Sequence, residues 1–455
     1  MNLLNRLTIS LILFVALLVF LPLRSEATQQ TSYMLSEQPV IKVGIWSNQP
    51  NVLISADTDF SLVNARTKEI LGKFVGKEKV SITAKDGQIS INGKSISAGA
   101  SIRIEPTLTD GDHYIEVNRK RYRGTMTIQR TNNKPGLTVV NALPLEQYLY
   151  GIVPDEMPSE WPLEAIKAQA VAARTFALYN LHKHEDDGYD VCATVSCQVY
   201  GGKSSETTQA TKAVDATYGQ VILYEGKPIQ ASYHSGGGGY TENSENVWLT
   251  AVPYLRGVVD YDQKSPGFKW EKQITAAELA AALNRSGYNV GEIKAIELSA
   301  LRIPPMNDPD RGVSGRVKKL TILGSNGTSS ITGNDFRSML GLKSTLFDIQ
   351  VILPIDKSVD VKITDSAGDR EMKKIEINLP PRQEKGLLLD KQGVHRLTGR
   401  SGEVIIITGS GGGHGVGLSQ WGAKAMAESA SQTDSTYFKE ILKHYYQSTI
   451  VKKVY

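Results

Sequence analysis

The sequence predicts an α+β protein, with an antiparallel β-rich N-terminal part followed by a central long helix and a mixed sheet. Three observations carry this prediction. Short runs between residues 40 and 140 alternate apolar with other residues, as strands with one buried face do. One alanine-rich stretch, residues 162–182, has helical spacing. Extended segments broken by glycine clusters at 236–239 and 409–417 follow it.

In the first region, Ile41-Lys42-Val43-Gly44-Ile45-Trp46, Val80-Ser81-Ile82-Thr83 and Tyr114-Ile115-Glu116-Val117 read as strands. Lys85-Asp86-Gly87 and Asn92-Gly93 supply the turns between such runs. Pro162 suits the first turn of the long helix. The chain is extended again from Tyr224 to Ser235, and further helices are expected over 418–427 and 437–446. Residues 354–400 are charged and alternating, as in Val359-Asp360-Val361-Lys362-Ile363. They read as a small β unit or an insertion. The expected organisation is a β-rich region at 40–140, a core at 141–353, this inserted unit at 354–400, and a return to the core at 401–455.

A length of 455 residues suits two or three domains. With 40% hydrophobic and 22% charged residues the balance is that of an ordinary globular chain. The net charge of +4, from 51 basic against 47 acidic side chains, is too small to argue for nucleic acid. Arg6 precedes an uncharged apolar run from Leu7 to Leu23, and Ser25-Glu26-Ala27 follows with small residues at its first and third positions. Residues 1–27 thus read as a signal peptide cleaved after Ala27, or as an uncleaved membrane anchor. Both place the bulk of the chain outside the cytoplasm. The two cysteines, Cys192 and Cys197, suit a disulfide in an oxidising compartment, with free thiols or half of a metal site as alternatives.

Projected at about 100° per residue, the long helix places Leu163, Ile166, Ala170, Val171, Ala177, Leu178 and Leu181 on one stripe. Lys167 and Arg174 fall in the middle of it, seven residues apart. Cations on a buried stripe demand a partner. That partner is either an internal carboxylate or an anionic or sugar-rich ligand in a cleft. Ahead of the helix, Pro158 pushes Met157 out of helical geometry, so Val153-Pro154-Asp155-Glu156-Met157-Pro158 is expected to be extended. Asp155 and burial near Met157 and Trp161 would raise the pKa of Glu156, while Lys167 or Arg174 would lower it. The sign stays open at this level.

Several motifs resemble those of the stage II sporulation protein D and amidase-enhancer family. They are Glu156-Met157-Pro158, the run from Glu164 to Thr175, Gln198-Val199-Tyr200-Gly201-Gly202, His234-Ser235-Gly236-Gly237-Gly238, Ser314-Gly315-Arg316-Val317, and the run from Gly413 to Ala423. They occur in the family's order over about residues 40–455. The resemblance implies a lytic transglycosylase of peptidoglycan, acting best on peptide-stripped glycan, in sporulation or wall remodelling. It implies Glu156 as the catalytic acid/base, with Lys167 and Arg174 in support, and so expects all three in one glycan-binding groove. In that groove Gln198, Tyr200, His234, Ser235, His414, Gln420 and Trp421 suit sugar binding, with Trp161 and Tyr233 as further flat faces.

The implied partners are glycan strands and, in the amidase-enhancer branch, a wall amidase that a non-catalytic module of this kind activates. No cofactor is required. Some members of the family hold zinc in this stretch, which leaves zinc open near Cys192 and Cys197; here Ser196 stands where such members have a histidine. A serine hydrolase built on His234 and Ser235 is disfavoured, because neighbours on a strand point to opposite faces.

Overall fold

The computed structural model describes residues 33–455 apart from 86, 97–100, 109–111, 354–357, 365–367, 369, 377–386, 389, 392, 401 and 432. The candidate signal or anchor, residues 1–27, lies outside the described residues. Among those that are described, no helix is long and apolar enough to cross a membrane.

The alternating N-terminal runs form two antiparallel sheets. One orders its strands Val40–Gln49, Leu137–Pro144, Thr125–Arg130, Ile102–Pro106, Phe60–Asn64 and Ile70–Phe74. The other is built around Asn51–Ala56, paired with Val80–Lys85 and Ile115–Val117. Alternate residues such as Val43, Ile54, Leu62, Ile82, Ile104 and Ile128 are fully or almost fully buried. That is the period-2 pattern of one buried face per strand. A short strand, Val191–Cys192, joins the edge of the first sheet in parallel with Val40–Gln49. The cysteine-bearing loop is thereby tied to the N-terminal sheet.

The long helix runs from Leu163 to Tyr179, with Pro162 at its N-cap. Its small side chains let neighbours approach on every side, and Ala165, Ala168, Ala170, Ala172, Ala173 and Ala177 are fully buried. It packs against the helices Leu145–Tyr150, Thr208–Ala216, Gln420–Ser429 and Phe438–Tyr445 and the strand Gln220–Tyr224. The preceding segment departs from expectation. Met157 is extended, with φ −132° and ψ 132°, but Val153–Glu156 forms one helical turn. Pro154 sits at the start of that turn, where a missing N–H costs nothing. The constraint from Pro158 reaches only the residue directly before it.

Two glycine-bearing motifs meet here. Tyr233–His234 pairs in parallel with Leu418–Ser419, and Gly236 bridges Gly412. Arg316 donates to the carbonyls of Gly413 (3.0 Å) and Gly237 (3.1 Å), so one buried guanidinium ties both glycine loops together. Gly415 has φ +82°, and a Cβ there would lie 2.1 Å from Arg316 Nε, so no other residue fits.

Residues 274–407 build a second hydrophobic core, with Leu279, Leu283, Ile296, Ile322, Phe336, Phe347 and Ile407 at its centre. It lies between two sheets and the helices Ala276–Arg285 and Gly333–Leu340. A complete capping box at Thr275 and Glu278 starts the first of these helices. The charged segment forms a two-stranded hairpin, Ser358–Thr364 with Arg370–Glu376. The chain then rejoins the core sheet through Val394–Arg396, which pairs with Ile293–Glu297.

Candidate active site

A cavity of about 550 Å³ opens where the helical turn, the cysteine loop and the two glycine motifs converge. Its lining includes Glu156, Gln198, Tyr233, His234, Ser235, His414 and Gln420 from the expected set. Glu156 closes the turn Val153–Glu156. One carboxylate oxygen accepts from the Val199 amide (3.2 Å) and the other from Gln420 Nε2 (3.3 Å). Tyr233 adds a hydroxyl hydrogen bond to the same carboxylate. A relay lies behind it. Gln198 Nε2 donates to Tyr233 Oη (3.2 Å) and to the Ala173 carbonyl of the long helix (3.2 Å), while Tyr148 Oη donates to Gln198 Oε1 (3.4 Å). The helix thus serves as the fixed platform for the acid's partners.

Burial raises the pKa of Glu156 above the usual carboxylate range, against the lowering effect of its hydrogen bonds to Val199, Tyr233 and Gln420. Asp155 adds a smaller upward push. Burial also holds two imidazoles neutral: His234 falls well below its ordinary value and His414 is pushed down to about 4. His234 Nδ1 faces the Val416 carbonyl (3.2 Å), and His414 Nδ1 accepts from the Val416 amide (3.1 Å). The strand ends at His234, Ser235 follows it in a bend, and both residues line the cavity.

Lys167 and Arg174 do not converge on Glu156. Lys167 Nζ binds Glu164 Oε1 (2.6 Å) and the Ser435 carbonyl (2.9 Å). Arg174 has no exposure and forms a bidentate pair with Glu146 at 2.7 Å on both arms. Its remaining donors reach Gln220 and Val214 carbonyls. The need for a partner was legible in the helical projection. The internal ion pair satisfies it, and neither cation lines the cavity.

Two expected sugar platforms are also placed elsewhere. Tyr200 is buried, with its hydroxyl on Asn141 Oδ1 (2.8 Å) and its ring against Tyr122 and Tyr148. Trp421 packs on the buried Trp161, with Lys424 Nζ 5.0 Å from its centroid. Tyr200 packs within the core, Trp421 stays partly exposed, and neither lines this cavity. Gln198, also in the lining, is 1% exposed and spends its amide on Tyr233 and the Ala173 carbonyl. The sequence reading missed Phe176, Asn180, Lys183, Val195, Gln230 and Trp248 in the cavity wall. The Trp248 ring, 5.0 Å from that of His414, offers an aromatic face in that wall.

Cys192 and Cys197 form a disulfide, with Cα atoms 5.5 Å apart. His184 Nε2 lies 3.5 Å from Cys197 Sγ. A structural zinc takes thiolates and four ligands. Sulfurs bonded to each other supply no thiolate, and the described residues offer three donors here, His184, Cys192 and Cys197. The set present does not fit zinc.

Residues 133–224 match the family described as stage II sporulation protein. The chain is 30% identical to stage II sporulation protein D of Bacillus subtilis, over 72% of this chain and 79% of that protein. It belongs to the stage II sporulation protein D family. It is also 32% identical to an uncharacterised protein of Brachyspira hyodysenteriae, over 72% of each chain. The amidase enhancer of Bacillus subtilis is 30% identical over 77% of this chain, which spans 47% of that longer protein. Residues 244–368, much of the second core, match a domain of unknown function. Within the family match lie Glu156, Gln198 and the long helix; Tyr233, His234, His414 and Gln420 come from beyond it.

Proposed function

We propose that this family member cleaves the glycan of peptidoglycan by lytic transglycosylation, with Glu156 as its one acid/base. The observation that carries this reading is the cavity's single carboxyl group, buried and shifted upward, among the described lining residues. Hydrolysis of a glycoside ordinarily takes two carboxyl groups, one as acid and one as base or nucleophile. A non-hydrolytic cut needs one. Protonated Glu156 gives its proton to the glycosidic oxygen as the bond to the muramic anomeric carbon breaks. The resulting carboxylate takes the proton of the muramic O6 hydroxyl, and that oxygen bonds to the same anomeric carbon. The product carries a 1,6-anhydro end, the proton returns to Glu156, and no water is consumed.

The support that the sequence reading asked of Lys167 and Arg174 comes from other groups. Burial raises the pKa of the acid and so favours its protonated form, and Val199, Gln420 and Tyr233 fix its orientation. The protein would act outside the cytoplasm, where its substrate lies and where a disulfide persists. Incubating the purified protein with peptide-free glycan strands should yield anhydro-muramic ends detectable by mass spectrometry. The 30% identity to an amidase enhancer supports a second reading, a module that activates a wall amidase. Stimulation of an amidase with no anhydro product would favour that module over the enzyme.

The Tyr233 hydroxyl stabilises the charged form of Glu156 and so lowers its pKa. Tyr233→Phe is therefore expected to raise that pKa further. Since the acid works protonated, the alkaline limb of the kcat/KM profile should move to higher pH. A limb that stays in place, or moves to lower pH, would remove Tyr233 from the tuning of the acid.

A further inference from the structure

The cavity wall contains one cation that the family's expected set did not include. Lys183 lies just beyond the C-terminal end of the long helix, after Asn180, and both residues line the cavity. Among the lining residues the ionisable inventory is short: the carboxyl of Glu156, the ammonium of Lys183, the phenol of Tyr233, whose pKa burial raises, and the imidazoles of His234 and His414, which burial keeps neutral. Lys183 is exposed, and its ammonium forms no ion pair among the described residues. Lys167, within the long helix, shows the contrast: it is buried and neutralised by Glu164. The acidic turn Glu185–Asp187 follows Lys183 closely in sequence, yet none of its carboxylates reaches that ammonium within ion-pair distance.

We propose that Lys183 is the docking point for a carboxylate carried by the glycan itself, the lactyl carboxylate of a peptide-free muramic acid. The proposal rests on the reading of the cavity as a glycan site and deepens it. In an intact strand that carboxyl is consumed in the amide to the stem peptide and carries no charge. Once the peptide is removed, each muramic residue presents a free anion. A lysine in the wall of this cavity attracts that anion and gains nothing from the amide. One lysine therefore reads whether the strand has been stripped. Its partly solvated position makes the expected discrimination modest, about three- to fivefold in affinity.

The test measures binding in a Glu156→Gln background, which keeps the acid position neutral and prevents turnover. The probes are peptide-free strands, the same strands with their lactyl carboxylates converted to methylamides, and chitin oligosaccharides, which have none. With Lys183 intact, the peptide-free strands should bind about three- to fivefold more tightly than the methylamides, and added salt should erase the difference. Lys183→Met should bring the peptide-free strands down to the methylamide level without weakening the methylamides. Lys183→Arg should restore the preference. Equal losses on every probe, or an unchanged preference in Lys183→Met, would overturn the assignment while leaving the glycan site standing. Absence of binding to all three probes with Lys183 intact would overturn the glycan reading and this assignment with it.

Discussion

Replacing Glu156 with glutamine is expected to abolish cleavage of peptide-free glycan, with a loss of at least about 10²–10⁴-fold in kcat, the range that one general acid supplies. The reason is the absence of a substitute. No other carboxyl group lies among the described lining residues, so nothing in the cavity can take over either proton transfer. The change removes a proton but keeps shape: a glutamine can still accept from the Val199 amide, and the fold should be intact. Unfolding curves should overlay those of the parent while anhydro ends vanish from the mass spectrum. A variant that retained most of its turnover would show that the cavity's acid is not Glu156. A folded variant that still binds strands would separate recognition from chemistry.

Arg174→Ala should have the largest effect on stability, about 3–5 kcal/mol, because it leaves a carboxylate buried without its counter-charge. Glu146 is 3% exposed, and its remaining partners are the Gly219 amide (3.3 Å) and the Tyr455 hydroxyl (2.6 Å). Those two neutral donors do not offset the lost guanidinium. Denaturant melts would read the loss directly. Removing both charges in an Arg174→Met, Glu146→Gln double variant should recover part of it, since a neutral pair needs no compensation. A single variant as stable as the parent would mean that the pair is dispensable and would reopen a role for Arg174 at the site.

Much of this was legible in the sequence. Period-2 alternation marked the N-terminal strands, and alanine spacing marked the long helix to within a few residues. The motifs pointed to Glu156, Tyr233, His234, Ser235, His414 and Gln420, all of which line one cavity. Periodicity tells which face of a helix a side chain occupies, but it is silent about what lies opposite. Arg174 finds Glu146 28 residues away, and Gln420 finds Glu156 across 264 residues. Only tertiary packing pairs them. The same blindness turned Tyr200 into an expected sugar platform, because an aromatic in a glycine-rich motif looks alike whether it faces solvent or a neighbouring ring. Lys183 escaped notice because it lies past the helix end, where the helical projection no longer applies.

The parallel pairing of Tyr233–His234 with Leu418–Ser419 joins segments almost two hundred residues apart in the chain. Such high contact order delays closure of that ladder until late in folding. A nascent polypeptide that has emerged only as far as the second core already holds Glu156, yet lacks the Gln420 amide that orients it. If Glu156 is the acid, a half-made molecule should be inert, because the contact that orients the carboxylate forms only with the closing helices.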